Sequence, residues 1–304
     1  MSLPSPSSSD AVVAVNGLSR HFGAKAALQE VSLYVPRGSV FGLMGENGAG
    51  KTTLIKHLLG LLRPEKGTVR VFGLDPTVDT VAVLGRLGYL SESRDLPAWM
   101  RINELLRYTA GFYPKWDHAY AESLRHQFGL RPSSRVRTLS KGEQAKLGLL
   151  VALAYRPELL LLDEPSSGLD PLVRHDILEA IIRAVAEEGR TVLFSSHLLD
   201  EVERVSDHLT MLHQGRVVFS GPLDQVKQSH RRLIIHFDTA QVAPPRLEGA
   251  LSVSGGGREW KVVCAGLNLA TAVHAAHLGG VIVDEQSATL DEIFVARAAK
   301  GAVS

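Results

Sequence analysis

Gly45-Glu46-Asn47-Gly48-Ala49-Gly50-Lys51-Thr52-Thr53 decides the fold of this 304-residue chain. It fits the pattern G-x-x-x-x-G-K-[ST], a glycine-rich loop running into a helix. A triphosphate needs several backbone N–H donors aimed inward, and glycines let the chain wrap that tightly without a Cβ clash. The unpaired N–H groups and positive dipole end of the following helix meet the same oxygens. Lys51 adds a cation for the β- and γ-phosphates, and the Thr52 hydroxyl is placed to ligate Mg²⁺. Upstream, Ser39 to Met44 is a short apolar run that reads as a buried strand. Downstream, Leu54, Ile55, Leu58, Leu59 and Leu62 recur at helical spacing. Strand, loop and helix stand in the order a phosphate site requires.

The carboxylates come later. Leu159 to Leu162 is a run of leucines ending in Asp163 and Glu164, the signature of a strand buried on both faces. Ligands of doubly wound sheets bind at the carboxyl ends of strands. Asp163 is expected to hold Mg²⁺, and Glu164 to orient the attacking water or accept its proton. Thr191 to Ser195 is a further buried strand delivering His197 to the same edge. Ser140 followed by Glu143 forms a capping box opening a helix through Leu147, Leu150, Val151 and Leu153. Phe22, ahead of the phosphate loop, is placed either to stack on a nucleobase or to pack locally.

Composition narrows the class. A formal net charge of +1 gives no global basic field for nucleic acid. The single cysteine, Cys264, excludes an internal disulfide or a thiolate metal site and reads as a small buried hydrophobe. Residues 1–10 are Ser/Pro-rich and predict disorder rather than a signal peptide. The longest apolar stretch, Leu147 to Tyr155, is too short to span a bilayer, so a soluble chain is expected.

With these elements in sequence, the chain resembles the nucleotide-binding subunit of an ATP-binding-cassette transporter. The matching positions are Phe22, the Walker A loop Gly45 to Thr53, Glu92 at the Q-loop and Leu139-Ser140-x-Gly142 as the signature. Leu159 to Asp163 with Glu164 forms Walker B, Asp170 lies in the D-loop, and His197 is the switch histidine. The resemblance covers residues 11 to about 225. It implies an α/β P-loop ATPase core with a mixed sheet and ATP and Mg²⁺ as ligands. Glu92 joins Thr52 and Asp163 as a metal ligand, and Ser140 and Gly142 touch nucleotide. Lys141 and Glu143 replace the usual glycine and glutamine of the signature. Glu92, together with the C-terminal extension, is similar to the branch serving ABC-2-type exporters. The resemblance further implies two cassettes sharing composite sites and a separate membrane permease. The chain would then be cytoplasmic and peripheral at the inner face of the membrane. The alternative is a soluble cassette ATPase switching nucleic acid or ribosomes; neither paired cassettes nor zinc-binding cysteines support it.

The expected organisation is a cassette over residues 11–228, with a helical insertion at about 93–137, and a small α+β domain over 229–304. The insertion is read as helices Ile102 to Tyr113 and Trp116 to Phe128. Most of its aromatics (Trp99, Tyr108, Phe112, Tyr113, Trp116, Tyr120, Phe128) are expected in a subdomain core, some on a docking face. In the C-terminal piece, strands are expected at Arg232 to Phe237, Glu259 to Cys264 and Val281 to Glu285. Helices are expected at Leu267 to Leu278 and Leu290 to Ala299.

Overall fold

The computed structural model describes residues 11–186, 189–265 and 275–301. The chain divides into two compact units, one ending at Ser220 and the other beginning at Gly221.

The first unit is built on a six-stranded sheet of order β5-β6-β7-β3-β8-β9. Its strands are β3 (Val40–Met44), β5 (Leu87–Leu90), β6 (Leu159–Leu162), β7 (Thr191–Ser196), β8 (His208–His213) and β9 (Arg216–Pro222). The neighbours β5/β6, β6/β7, β7/β3 and β3/β8 run parallel. All four leucines of β6 are fully buried, as a strand covered on both faces demands. Each contributes about 2 kcal/mol by leaving water. A turn at Gln214-Gly215, both at positive φ, joins β8 to β9.

A second sheet, β2-β1-β4, is antiparallel throughout: β1 (Ala11–Phe22), β2 (Lys25–Pro36) and β4 (Lys66–Val71). The outer strands outrun their sequence signal. β1 continues through bulges as far as Phe22, which pairs with Lys25 at the hairpin tip. Phe22 therefore belongs to a strand end, not to a free loop. Cross-strand pairing extended a segment whose side-chain alternation fades.

Helix α1 (Lys51–Leu58) starts on the phosphate loop, with Leu54, Ile55 and Leu58 fully buried. The short helices α2 (Thr80–Leu84) and α7 (Leu199–Val205) had no sequence expectation. The insertion carries α3 (Ile102–Ala110) and α4 (His118–Gln127), followed by a 3-10 turn at Val136–Thr138. Helix α5 (Lys141–Leu153) begins at the expected capping box: Glu143 N–H donates to Ser140 Oγ at 3.2 Å, and Ser140 N–H to Glu143 Oε2 at 2.8 Å. Helix α6 (Pro171–Ala186) follows β6.

The aromatics of the insertion correct one expectation. Of the seven, only Phe128 is buried, whereas Trp99, Tyr108 and Phe112 are exposed. The apolar interior is filled instead by Ile102, Leu105, Leu124 and Leu130. Aliphatic side chains at helical spacing sufficed, and the rings were left to the surface.

The second unit holds α8 (Leu223–Gln228), strands β10 (His230–Gln241), β11 (Ala250–Ala265) and β12 (Gly280–Ser287), and α9 (Leu290–Gly301). Its antiparallel sheet has the order β11-β10-β12. Leu233, Ile235, Phe237, Trp260, Val262 and Cys264 form its core. The second domain was expected over 229–304, whereas the division places α8 on this side as well. The expected helix from Leu267 lies outside the described residues as far as 274, and the expected disorder of residues 1–10 lies wholly outside them.

Candidate nucleotide site

Strand register assembles the site. Met44 pairs with Ser196, so the phosphate loop leaves β3 beside the end of β7, one residue before His197. Leu162 pairs with Phe194, which sets Asp163 opposite Ser195. Loop, carboxylates and histidine thus emerge together at the carboxyl edge of the sheet.

The loop bends where only glycine fits. Gly45 and Gly50 have φ of 152° and 110°. A Cβ on Gly45 would stand 2.4 Å from Leu212 O, and one on Gly50 2.6 Å from Ala27 O. The cradle fronts a cavity of about 340 Å³ lined by Phe22, Lys25, Glu46, Asn47, Gly48, Gly50, Lys51, Thr52, Thr53, Glu92 and Glu164, with Ala27. Ala49 is packed behind the loop, its N–H bonded to Glu46 O.

Lys51 is only 6% exposed. Its ammonium donates to Gly45 O at 2.5 Å and Glu46 O at 3.3 Å, and stands 3.0 Å from Glu164 Oε1. The other Glu164 oxygen accepts from His197 Nδ1–H at 2.7 Å. Glu164 is thus gripped between a cation and an imidazole. It has φ of 48°, a left-handed conformation costing a non-glycine residue about 1 kcal/mol. Glu164 N–H donates to Ser195 Oγ at 2.8 Å, and that hydroxyl donates to Asp163 Oδ1 at 2.7 Å. One serine therefore ties the Asp163 carboxylate to the Glu164 backbone. Asp163 is 1% exposed, and its charge is felt at Tyr89. Burial pushes the Tyr89 phenol up to about 12, and the negative charges of Asp163 and Asp95 act in the same direction.

Not every expected residue meets here. Ser140 and Gly142 do not line the cavity. Ser140 is exposed at the α5 N-terminus, and Gly142 packs on Val173, whose Cγ2 would be 2.9 Å from an added Cβ. Phe22 and Glu92 do reach the cavity wall. Phe22 is 48% exposed, with the Arg20 guanidinium 5.1 Å from its ring centroid.

Sequence reasoning missed several residues. Lys25 lines the cavity by virtue of the β1–β2 hairpin register. Arg94 Nη2 donates to Ser167 O at 2.7 Å, tying the segment after Glu92 to the turn after Glu164; burial holds its pKa down. Ser195 carried a usable signal, a polar residue at the end of an apolar strand opposite Asp163. The others carried none.

As ligands, the oxygens of Thr52, Asp163 and Glu92 are hard donors. Among the described residues no cluster of three or more His, Cys, Asp or Glu could hold a metal alone. That donor set suits Mg²⁺, which keeps waters and takes substrate phosphates as ligands.

Comparison with known proteins agrees. Residues 28–167 match the family described as ABC transporter. The chain is 35% identical over 230 residues to the ABC transporter ATP-binding protein NatA of Bacillus subtilis, covering 72% of this chain and 93% of that protein. It is 34% identical to the daunorubicin resistance ATP-binding protein DrrA3 of Streptomyces coeruleorubidus, over 72% of this chain and 70% of that one. A solved structure of an ATP-binding subunit of an ABC transporter superposes with a TM-score of 0.66 at 34% identity, over 71% of this chain and 92% of that one. On that likeness, the chain belongs to the ATP-binding subunits of the ABC transporters, an ATPase family.

Proposed function

We propose that this chain is the ATP-hydrolysing motor of an exporter, acting as one of two cassettes beneath a separate membrane subunit. The observation that carries the reading is Glu164, held between Lys51 and His197 at the mouth of the glycine cradle. Incoming phosphate oxygens compete for the Lys51 ammonium and so release Glu164 Oε1. The freed carboxylate then takes a proton from water while the water oxygen forms a bond to the γ-phosphorus. The bond from that phosphorus to the bridging oxygen breaks, and ADP leaves with the electron pair. His197 donates to the other carboxylate oxygen and keeps it facing the water. Thr52, Asp163 and Glu92 are the oxygen donors that would hold Mg²⁺, which when bound supplies charge neutralisation at the phosphates.

Phe22 offers an exposed ring at the cavity wall for an adenine. Ser140 and Gly142, away from the cavity but at an exposed helix N-terminus, suit the phosphate bound by a second chain. Among the described residues no helix is long and apolar enough to cross a membrane; in this reading the membrane step belongs to the partner. A groove of about 580 Å³ between α2 and the end of α3 suits that partner. Val81, Leu84, Phe112, Tyr113 and Tyr155 line it with Arg86 and Lys115. Export is supported by likeness to DrrA3 and to the bacitracin transport protein BcrA of Bacillus licheniformis, at 30% identity over 73% of this chain. The C-terminal unit, whose sheet encloses a core of its own, is given a stabilising role in this reading.

The test is purification of the tagged chain from membranes, followed by ATP hydrolysis in magnesium buffer. Recovery of an integral membrane protein with magnesium-dependent turnover is expected. Recovery with ribosomes or nucleic acid, and no membrane protein, overturns the transport reading.

A further inference from the structure

Beyond the pair Leu162 and Phe194 the β6–β7 ladder ends, and side chains alone join the two segments that carry Glu164 and His197. Ser195 is one such joint, and the bond from His197 to Glu164 is a second. Glu201, on α7, is a third. It is 4% exposed, a costly place for a carboxylate unless its oxygens are bonded. Its Oε2 accepts from Ser166 Oγ at 2.6 Å and from Ser196 Oγ at 3.0 Å. Its Oε1 stands 3.2 Å from Arg174 Nε. Ser166 lies inside the turn closed by Ser167 N–H on Glu164 O at 3.1 Å. Ser196 immediately precedes His197. A single carboxylate therefore grips a neighbour of each member of the Glu164–His197 pair, and Arg174 at the start of α6 balances its charge.

We propose that Glu201 is a positioning residue for hydrolysis, setting the separation of Glu164 and His197 by clamping Ser166 to Ser196. The proposal rests on the reading of Glu164 and His197 as the reacting pair. Bonds to a charged acceptor are the stronger kind, and the clamp sits where the sheet offers no backbone bond in its place. Gln at 201 that turns its carbonyl oxygen to the two serines faces the Arg174 guanidinium with its NH2, donor against donor. One that turns the oxygen to Arg174 faces both serine hydroxyls with NH2, so the charged acceptor of the clamp is lost in either orientation.

The test uses the full chain and compares steady-state ATP hydrolysis of the wild type, Glu201→Gln, His197→Ala and the double variant. Glu201→Gln is expected to lower kcat about tenfold with KM for ATP within about twofold, the pattern of a lost geometry rather than lost binding. The double variant is expected to be no slower than His197→Ala, because a residue acting through His197 has nothing left to act on. Should Glu201→Gln fold poorly, Ser166→Ala and Ser196→Ala probe the same clamp from its other ends, with the same kcat loss expected. A kcat within twofold of wild type, or losses that multiply in the double variant, overturns the proposal. Absence of magnesium-dependent hydrolysis by the wild-type chain instead overturns the functional reading on which it stands.

Discussion

Lys51 Nζ stands 3.0 Å from Glu164 Oε1, with 6% and 5% of the two side chains exposed. The ammonium expected to hold phosphate and the carboxylate expected to activate water neutralise one another. Removing either leaves the other buried and uncompensated, which costs about 3 kcal/mol or more. Lys51→Met is therefore expected to lower the melting temperature of the nucleotide-free chain and to abolish measurable ATP binding by calorimetry. A melting temperature equal to that of the wild type contradicts the pairing.

Glu164→Gln retains the shape and loses the base. Hydrolysis is expected to fall at least about a hundredfold, within the range general-base contributions span. ATP binding should persist, since Lys51 and the glycine cradle are intact. Single-turnover phosphate release beside equilibrium nucleotide binding separates the two effects, and unchanged turnover removes Glu164 from the mechanism.

Ser195→Ala deletes a donor to Asp163 and an acceptor for Glu164 N–H. Leaving those buried groups short of partners is expected to cost about 1–3 kcal/mol in urea unfolding. Turnover should fall with it, because the Asp163 carboxylate and the Glu164 backbone lose their shared anchor. Ser195→Thr, which keeps the hydroxyl, is expected to recover most of the activity.

Gly50→Ala places a methyl 2.6 Å from Ala27 O at φ of 110°. The loop can relieve that clash only by moving the N–H groups of the cradle. Nucleotide affinity should drop at least about tenfold, a cost of about 1.4 kcal/mol. A wild-type dissociation constant measured by fluorescent-nucleotide titration contradicts this account of the loop.

His230 is buried in the C-terminal unit, its Nδ1–H donating to Val226 O at 2.7 Å and its Nε2 accepting from Arg297 Nη2 at 2.9 Å. Burial lowers its pKa from 6.5, opposed by the bond to Val226 and aided by the Arg297 charge. The unfolded chain therefore binds this proton more readily than the folded one. Stability from this group is complete above about pH 6.5 and is lost as pH falls from there through the lower folded value. His230→Gln is expected to flatten thermal stability across that window. An unchanged acid slope contradicts it.

The parts of the site that chemistry dictates were legible in the sequence. Gly45 to Thr53, Asp163, Glu164 and His197 announce themselves because phosphate, metal and water each demand particular groups at fixed offsets. The capping box at Ser140 and Glu143 was legible for the same local reason. Phe22 was ambiguous, since hairpin register rather than its neighbours brings it to the cavity. Glu201, Arg94 and Ser166 were invisible because their partners lie on other elements, and only the strand order joins them. The surface rings Trp99, Tyr108 and Phe112 misled, because their hydrophobicity states that they want a partner without stating which.

Ser140 spends its hydroxyl oxygen on its own helix. With that cap closed by Glu143, the Ser140 oxygen is committed as an acceptor within α5, while its hydroxyl proton stays available to an acceptor from outside. In the proposed pair of cassettes, an arriving phosphate meets a donor whose position is already fixed. The grip then becomes conditional on a fully charged nucleotide, and the cap serves as a latch plate that waits for the fuel to close it.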